Sequence, residues 1–463
     1  MTIKILLPLV LILFVQKILS LYFTSFDLFG DEAQYWLWSQ DLDYGYFSKP
    51  PLLAWVISLY SSAFGDSFFS LKIIPCFTYI FTAWAVYNLC KNIGLKKESS
   101  FECSLLFLLI PAVSFSSFIL STDILLLLFW TLALNELVVI RKFKNFKNFL
   151  MFGIFIGLAF LSKYAAIYFI ICLIIYILLD QDFRKFFFKN LLGFLLSVSC
   201  IFIILLPNLI WNINNSWVTL QHTSDNANFG NIKINLLRGF EFVCIQILML
   251  GPLLFIGGIL NYKNVVLDEK QKLLLIFSLP IFFIVLVEAI IVRANANWAA
   301  PGFISLFIFL YLLINNGILK KLHIVFSSVF CFIFFLLIGL TYENNIFNRI
   351  IGISEFSNKI HSFGSNAGIV NFVISDRLLF SNIKYEMRNN ESFFYMPHRT
   401  GDRITNHFKL TSPLKKEMKK SFIFIGYPNE INYLENSYNL RKLLTMKTNF
   451  VSNKLDIYEV TFH

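Results

Sequence analysis

The sequence predicts an all-α polytopic membrane protein with about eleven transmembrane helices (range 10–13), followed by a small C-terminal α/β domain outside the cytoplasm. Three observations support this. Of the 463 residues, 57% are hydrophobic and only 14% are charged, whereas soluble domains carry about 25% charged residues. The apolar residues form long runs separated by short polar loops. After residue 341 the charge density rises and the apolar runs become short.

The spans follow from runs long enough to cross the hydrocarbon layer, which takes roughly 20 helical residues, or fewer in tight hairpins. The first run is too long for a signal sequence and lacks a small-x-small cleavage site, so we expect it to remain as an anchor. The predicted spans cover residues 5–22, 71–90, 102–117, 122–140, 149–162, 165–179, 189–206, 240–260, 272–292, 299–314 and 322–340.

The distribution of Lys and Arg predicts the orientation, because cytoplasmic loops are enriched in these residues. Basic loops lie around residues 91–97, 141–147, 184–189, 263–272 and 320–321, and they alternate with loops that hold few cations. We assign the basic set to the cytoplasm, with the protein in an inner membrane. An odd number of spans then places the amino terminus inside and the tail outside.

Two domains are predicted, a transmembrane domain over residues 1–341 and a soluble α/β domain over residues 342–463. Two outer segments, residues 23–70 and residues 207–238, are too long to be turns. The first of them is acidic and aromatic. The tail has about 120 residues, within the usual size of a domain. Its strand-like runs are Ile369–Ile374, Ser421–Ile425 and Leu455–Val460.

The composition argues against two other classes of protein. The seven cysteines show no metal-ligand spacing, and none lies beyond residue 331, which disfavours a disulfide scaffold or a zinc site. The formal charge of +11 would suit a nucleic-acid-binding protein. However, the basic residues are scattered through short loops and form no basic helix or RNA-binding motif. Membrane topology accounts for the charge, and no nucleic-acid partner is expected.

The strongest local signal is the sequence GDEAQYWLW at Gly30–Trp38, in the first outer segment. Asp31 and Tyr35 are four residues apart, so a helix here would place both on one face. The two tryptophans suit the headgroup level of a bilayer. Asp31 alternatively caps the helix. Two adjacent carboxylates, Asp31 and Glu32, nevertheless exceed what a cap needs.

Two further positions would place charge on the outer side. In the sequence SKPPL, the double proline starts a helix and would hold Lys49 rigidly near the surface; a snorkelling lysine is the alternative. At the outer end of a span, Asp123 follows Ser121 and Thr122. A carboxylate at that depth is costly and suggests a function, although capping by Thr122 or Asp123 is the alternative.

Three polar runs on the same side would place cations, aromatic rings and amides beside these carboxylates. Ordinary anchoring at the membrane interface is the alternative for each run. The candidate residues in these runs are Lys163, Tyr164, Trp211, Asn212, His222, Arg293, Asn297 and Trp298.

Carboxylates and fixed cations on one face suit the transfer of a sugar from a lipid phosphate. The acceptor hydroxyl is a poor nucleophile at neutral pH, so a carboxylate must accept its proton or orient it. The departing phosphate gains negative charge, which Lys or Arg stabilises in a partly dehydrated site. A carboxylate also stabilises an oxocarbenium-like anomeric carbon. Composition alone does not separate this chemistry from transport.

The order of the motifs resembles the polyprenyl-phosphate-dependent glycosyltransferases of the GT-C class. In particular it is similar to glycosyltransferase family 39 and the aminoarabinose-transferase group, which are relatives of protein O-mannosyltransferases. The resemblance spans residues 25–302, and the tail is similar only in general layout. The matching motifs are DExxYW, KPPLLAW, FGDS, STDILLLLFW, GLAFLSKY, the WN pair at 211–212 and the run at 293–298.

The resemblance implies an inverting transfer from an undecaprenyl-phosphate-linked sugar to an acceptor outside the membrane, with lipid A or lipopolysaccharide core as the expected acceptor. It implies that Asp31 is the base, that Glu32 supports it, and that Asp123 shapes the donor or acceptor site. It assigns phosphate contacts to Lys49, Lys163 and Arg293. It leaves a divalent cation as an option and assigns no other cofactor. Substrate contacts are expected from Tyr35, Tyr164, Trp211, Asn212, His222, Asn297 and Trp298.

Other functions stay open from the sequence. A lipid-linked sugar flippase or other transporter would show ionisable groups at mid-membrane and broken helices in paired halves, whereas the acids here lie mostly at one surface. A protein O-mannosyltransferase-like enzyme would share the motifs. A membrane-anchored assembly protein would act through a cation-rich tail. No motif names the sugar or the oligomeric state. The cations and histidines of the tail include Arg377, Arg388, His398, Arg399, Arg403 and His407.

Overall fold

A computed structural model describes residues 3–227, 233–261, 267–314, 317–398, 403–414, 420–428, 430–432, 438–451 and 453–462. Arg399 of the cation-rich tail lies outside these ranges. The helices up to residue 339 are α1 (Ile3–Phe23), α2 (Gly30–Gln40), α3 (Leu52–Phe64), α4 (Phe68–Asn92), α5 (Lys97–Leu109), α6 (Pro111–Ser116), α7 (Thr122–Phe143), α8 (Phe146–Ser162), α9 (Ile167–Leu179), α10 (Gln181–Lys189), α11 (Leu191–Asn214), α12 (Val218–Ala227), α13 (Leu236–Leu250), α14 (Pro252–Asn261), α15 (Glu269–Ile276), α16 (Leu279–Ile291), α17 (Ala300–Leu313) and α18 (Gly317–Gly339).

The tail combines short helices with a sheet. Its elements are α19 (Ile353–Ala367), β1 (Asn371–Ile374), α20 (Arg377–Glu386), β2 (Phe393–Tyr395), α21 (His407–Thr411), β3 (Phe422–Gly426), β4 (Tyr438–Met446) and β5 (Leu455–Phe462). The predicted fold class, a helical membrane protein with a small C-terminal α/β domain, is confirmed.

Within the described ranges, seven helices are long and apolar enough to cross a membrane, and two bent pairs raise the number to nine. The pairs are α9 with α10, bent by 108°, and α13 with α14, bent by 96°. The second break falls at Gly251, whose φ of 101° suits a residue without a Cβ. Pro252 then begins α14, a position that proline favours.

Each of the eleven predicted spans coincides with helical sequence, although two of them are shorter than a full span. The predicted span 102–117 is divided between α5 and α6, because Pro111 begins α6 and holds Ile110 in an extended conformation with ψ 145°. The predicted span 149–162 is α8, a helix of 17 residues.

Contacts divide the chain into two compact units. Unit 1 comprises Met1–Tyr22, Lys49–Leu53 and Phe69–Leu337. Unit 2 comprises Phe23–Ser48, Ala54–Phe68 and Ile338–His463. Most of the first outer segment therefore shares a unit with the tail. The domain boundary at 341/342 stays a prediction.

The sheet of unit 2 has the strand order β2-β1-β3-β5-β4. Strand β1 pairs in parallel with β2 and β3, whereas β5 is antiparallel to β3 and β4. The strand-like runs identified in the sequence correspond to β1, β3 and β5. Two strands were not foreseen. Strand β2 has only three residues. Strand β4 is an edge strand whose Arg441 and Lys442 interrupt the apolar pattern of a strand; charged residues of this kind are typical of protected edge strands.

In unit 2, α2 lies directly against the first turn of α20. A Cβ placed on Gly30 would come 2.6 Å from the Cβ of Leu378. Real Cβ atoms do not approach so closely, because the repulsion between the carbons is too strong. Glycine at the start of α2 therefore permits the two helices to meet.

Candidate functional site

Asp123 lies at the centre of a polar cluster in unit 1. It is the second residue of α7, and its carboxylate is buried, with the residue 8% exposed. Its Oδ1 accepts a hydrogen bond from Lys163 Nζ at 2.6 Å, and its Oδ2 accepts one from Asn297 Nδ2 at 2.8 Å. Both carboxylate oxygens are thus engaged in a buried, paired arrangement. Ser121, rather than Thr122 or Asp123, occupies the N-cap position of α7, and the Asp123 oxygens accept from side chains, so capping is not the role of this carboxylate.

The sequence brings these three residues together at the ends of helices. Lys163 is the C-cap of α8, with φ −160° and ψ 135°, so the helix stops there and the chain enters a 3-10 turn at Tyr164–Ala166. Asn297 belongs to a second 3-10 turn, Ala296–Ala299, which precedes α17. Helix ends leave the chain free to turn, and they place polar side chains beside the start of α7.

A second network lies next to Lys163 in the sequence. The Tyr164 hydroxyl donates to Asn208 Oδ1 at 2.7 Å, and Asn212 Nδ2 donates to that hydroxyl at 3.1 Å. Asn212 Nδ2 also donates to the Asn208 carbonyl at 3.0 Å. A carbonyl only accepts, so the amide orientation of Asn212 is fixed. Its buried Oδ1 has no hydrogen-bond partner in the described part of the chain, which costs about 1–3 kcal/mol unless a ligand or water supplies a donor.

The sequence analysis did not single out Gln246 on α13. Its Nε2 donates to the Ala296 carbonyl at 3.1 Å, one residue before Asn297. Its Oε1 is buried and, among the described residues, has no partner. The sequence does contain a signal for Gln246, because its amide interrupts an apolar helix, and polar side chains at membrane depth usually face a partner or a functional cavity.

Asp31 belongs to a separate cluster in unit 2. Helix α2 begins after Phe29, and Glu32 caps it, because the buried Glu32 Oε2 accepts from Phe29 N at 2.9 Å. The alternative in which Asp31 merely caps the helix is therefore wrong. The Asp31 side chain is 56% exposed, and its Oδ1 accepts from Arg377 Nη1 at 3.0 Å. The same Arg377 nitrogen donates to Gln34 Oε1 at 2.7 Å.

Tyr35 is buried in an aromatic cluster of unit 2 rather than in an open site. Its ring lies 5.4 Å from that of Trp38, and Trp38 stacks on Tyr46 at 4.6 Å. The His407 ring contacts both Trp38 and Tyr46 at 5.5 Å. Burial, and then the charge of Lys384, lowers the pKa of His407 to about 4. His407 is therefore neutral at physiological pH.

The other predicted residues all belong to unit 1 and are distributed along it. Lys49 is half-buried before the double proline. Trp211 is buried on α11, and His222 is half-buried on α12. Trp298 is half-buried in the 3-10 turn with Asn297. Arg293 is exposed. Within the described residues, no group of three or more His, Cys, Asp or Glu side chains is arranged to hold a metal ion.

One further carboxyl group of the first outer segment is buried in unit 2. Asp27 caps α19, because its Oδ2 accepts from Ile353 N at 2.8 Å and its Oδ1 from Ser354 N at 3.3 Å. Burial raises the pKa of Asp27 to about 6, against the lowering effect of these backbone hydrogen bonds. The pKa of Glu386 is also raised to about 6, by burial and then by the charge of Asp27.

Comparison with known proteins gives a family match and a match of fold. Residues 48–211 match the family described as dolichyl-phosphate-mannose-protein mannosyltransferase. The fold matches the crystal structure of ArnT from Cupriavidus metallidurans in the apo state, with TM-score 0.70 and 11% identity, over 98% of this chain and 97% of ArnT. The chain shares the fold of ArnT. The resemblance predicted from the motifs is thereby confirmed.

Two other comparisons agree with this resemblance. The chain matches the same ArnT bound to undecaprenyl phosphate with TM-score 0.71 and 12% identity, over 98% of this chain and 97% of that one. It is 28% identical over 388 residues to the lipid A galacturonosyltransferase RgtD of Rhizobium johnstonii, over 81% of this chain and 80% of RgtD. The multi-pass membrane character predicted from composition agrees with the seven to nine apolar helices found among the described residues.

Proposed function

We propose that this protein is an inverting glycosyltransferase of the GT-C class that moves a sugar from an undecaprenyl-phosphate-linked donor to lipid A or lipopolysaccharide core. The similarity to RgtD over four-fifths of both chains carries the proposal. The undecaprenyl phosphate bound to ArnT supports the class of donor. We further propose that the chain lies in a bacterial inner membrane, with the amino terminus in the cytoplasm and the C-terminal domain in the periplasm.

The reaction is a single displacement. The oxygen of the acceptor hydroxyl attacks the anomeric carbon, and the bond from that carbon to the phosphate oxygen breaks. The hydroxyl proton passes to a carboxylate, which we assign to Asp31, and undecaprenyl phosphate leaves with the electron pair. Attack from the face opposite the leaving group inverts the configuration of the anomeric carbon.

Cations stabilise the leaving phosphate in this proposal. Lys163 carries three N–H donors, so it can hold Asp123 at 2.6 Å and still donate to a phosphate oxygen. Exposed Arg293 has no ion pair within the described ranges, which leaves its guanidinium available for bidentate phosphate binding. Lys49 is the third proposed contact. Asp123 then acts by holding Lys163 in place, and Asn297 holds Asp123.

The sugar would be recognised by hydroxyl and ring contacts. The buried Oδ1 of Asn212 is an acceptor that a sugar hydroxyl would satisfy. Tyr164 holds that amide in place. Aromatic faces suit sugar rings, and Trp211 and Trp298 are the proposed platforms, with His222 as an additional hydrogen-bonding group. A uronosyl donor is the first to test, because the name of RgtD specifies galacturonosyl transfer.

The proposal is tested with purified protein in proteoliposomes. Undecaprenyl-phosphate-linked galacturonic acid, aminoarabinose and mannose are supplied separately, with lipid A as acceptor, and the lipids are analysed by mass spectrometry. We expect lipid A to gain one sugar unit, from the uronosyl donor first. Sugar that crosses the vesicle membrane without any covalent product would contradict the proposal and identify a flippase.

A second assay supplies a serine- and threonine-containing peptide in place of lipid A. Transfer of mannose to that peptide, with lipid A left unmodified in the first assay, would favour the second candidate, a protein O-mannosyltransferase-like enzyme. The family match over residues 48–211 supports that candidate. The Asp123→Asn variant, which weakens the hold on Lys163, should transfer at least about tenfold more slowly. The matched control is Asp268→Asn, because Asp268 caps α15 and pairs with its neighbour Lys270, and asparagine caps equally well.

A further inference from the structure

The ion pair between Asp31 and Arg377 joins residues that are 346 positions apart in the sequence. Arg377 is the first residue of α20 in the C-terminal tail. Its Nη1 bridges the Asp31 carboxylate and the Gln34 amide oxygen, which lie three residues apart on one face of α2. Arg377 occupies Oδ1 of Asp31. In the described part of the chain, Oδ2 of this half-exposed carboxylate accepts no hydrogen bond.

The tail holds Arg377 in place through the preceding residue. Asp376 caps α20, because its Oδ1 accepts from the backbone nitrogens of Leu378 and Leu379, each at 2.9 Å. Its Oδ2 accepts from the Tyr427 hydroxyl at 3.0 Å. Asp376 follows β1 and Tyr427 follows β3, so both lie at the carboxyl ends of parallel strands. In α/β sheets, functional side chains are commonly placed at the carboxyl ends of the strands.

The close approach of Gly30 to Leu378 fixes the distance between the two helices at the same point. Three features therefore support the contact between α2 and α20: the cap of α20, the carboxyl ends of β1 and β3, and the glycine that lets α2 approach. An exposed ion pair contributes only about 0–1 kcal/mol to stability. This small contribution to stability does not explain why three features hold Arg377 beside Asp31.

We infer that Arg377 is a positioning residue for Asp31, so that the C-terminal domain takes part in sugar transfer. The inference rests on the proposed function, in which Asp31 accepts the acceptor proton. By holding Oδ1, Arg377 orients the carboxylate and leaves Oδ2 to receive the proton.

Three substitutions at position 377 test this role in the transfer assay. Arg377→Gln should lower kcat about 10- to 100-fold, the value of a hydrogen bond to a charged group, with KM for the lipid-linked donor unchanged. Arg377→Lys keeps the charge and should recover part of the rate. Added guanidinium ion should restore transfer by Arg377→Ala, because it can occupy the vacated space beside Asp31. A merely structural contact would give neither rescue nor a selective loss of kcat.

The control is Arg441→Gln, which removes another exposed ion pair of the same unit, the one to Glu459 at 3.5 Å. It should transfer at the wild-type rate. If Arg377→Gln also transfers at the wild-type rate, or if guanidinium has no effect on Arg377→Ala, the inference is wrong.

The Asp31→Asn variant separates this inference from the proposed function. If Asp31→Asn is inactive while Arg377→Gln is fully active, only the positioning role fails. If Asp31→Asn itself is fully active, the assignment of the base fails. The double variant Asp31→Asn/Arg377→Gln should keep the same residual rate of transfer as Asp31→Asn, because the two residues act as one unit.

Discussion

At the scale of single residues, the Asp123–Lys163 pair should respond differently to single and double substitution. Lys163→Met leaves the Asp123 carboxylate buried without its cation, which costs about 3–5 kcal/mol and lowers the midpoint of thermal unfolding. Asp123→Asn combined with Lys163→Met removes both charges and should recover much of that loss. A double variant that unfolds at a lower temperature than Lys163→Met would contradict the paired geometry.

His407 makes the stability of the protein depend on pH. Its pKa is lowered to about 4 in the folded protein by burial, against about 6.5 when unfolded. Below pH 6.5 the unfolded chain binds a proton that the folded chain does not, so stability falls as the pH drops from 6.5 towards 4. His407→Phe suits the aromatic neighbours and should reduce the decline in unfolding temperature over that range. An unchanged pH dependence would show that the imidazole is not its source.

At the scale of elements, the contact between α2 and α20 depends on Gly30. Gly30→Ala places a methyl group within 2.6 Å of Leu378 Cβ, so the helices must separate, at a cost of about 1–3 kcal/mol. Sugar transfer should fall as well, because Asp31 and Arg377 move apart. Gly317→Ala at the start of α18 meets open space and should leave both stability and transfer near the wild-type values. Equal behaviour of the two variants would refute the close approach.

Helix α19 depends on a cap supplied from a distant part of the chain, Asp27. Asp27→Ala loses the hydrogen bonds to Ile353 N and Ser354 N and should cost about 0.5–2 kcal/mol. Asp27→Asn keeps an acceptor. The folded pKa of Asp27 is raised from 3.8 to about 6 by burial, so its contribution to wild-type stability is lost as the pH rises from 3.8 through 6.

At pH 7 the asparagine of the Asp27→Asn variant has no charge to bury, so this variant should be at least as stable as the wild type. Its advantage should shrink towards pH 4, where Asp27 is protonated in the wild type. Thermal unfolding of the wild type, Asp27→Asn and Asp27→Ala at both pH values measures this. A loss of stability in Asp27→Asn at pH 7 equal to that of Asp27→Ala would contradict it.

At the scale of the whole molecule, the membrane class could be predicted because a bilayer requires long apolar runs, and those runs are visible in the sequence. The residues that break the helices, Pro111 between α5 and α6 and Gly251 with Pro252 between α13 and α14, are also visible in the sequence. They are overlooked when a span is predicted only from the length of its apolar run. Strand β4 was missed for a similar reason, because Arg441 and Lys442 interrupt its apolar pattern.

The sequence shows which polar residues interrupt the apolar runs, whereas it does not show their partners. A carboxylate at membrane depth marked Asp123, but Lys163 is 40 residues away and Asn297 is 174 residues away. Only tertiary packing selects such partners. Arg377 was visible as one cation among several in the tail. Nothing in the local sequence indicated that it, rather than another cation, would bind Asp31.

The central claim is that sugar transfer depends on Asp31 as the proton acceptor. The most direct measurement is the initial rate at which lipid A gains sugar from its lipid-linked donor, compared among the wild type, Asp31→Asn and the control Asp268→Asn at equal amounts of folded protein. We expect Asp31→Asn to be slower by about 10²-fold or more, since a general base contributes that much, and Asp268→Asn to match the wild type. Transfer by Asp31→Asn at the wild-type rate would contradict the claim.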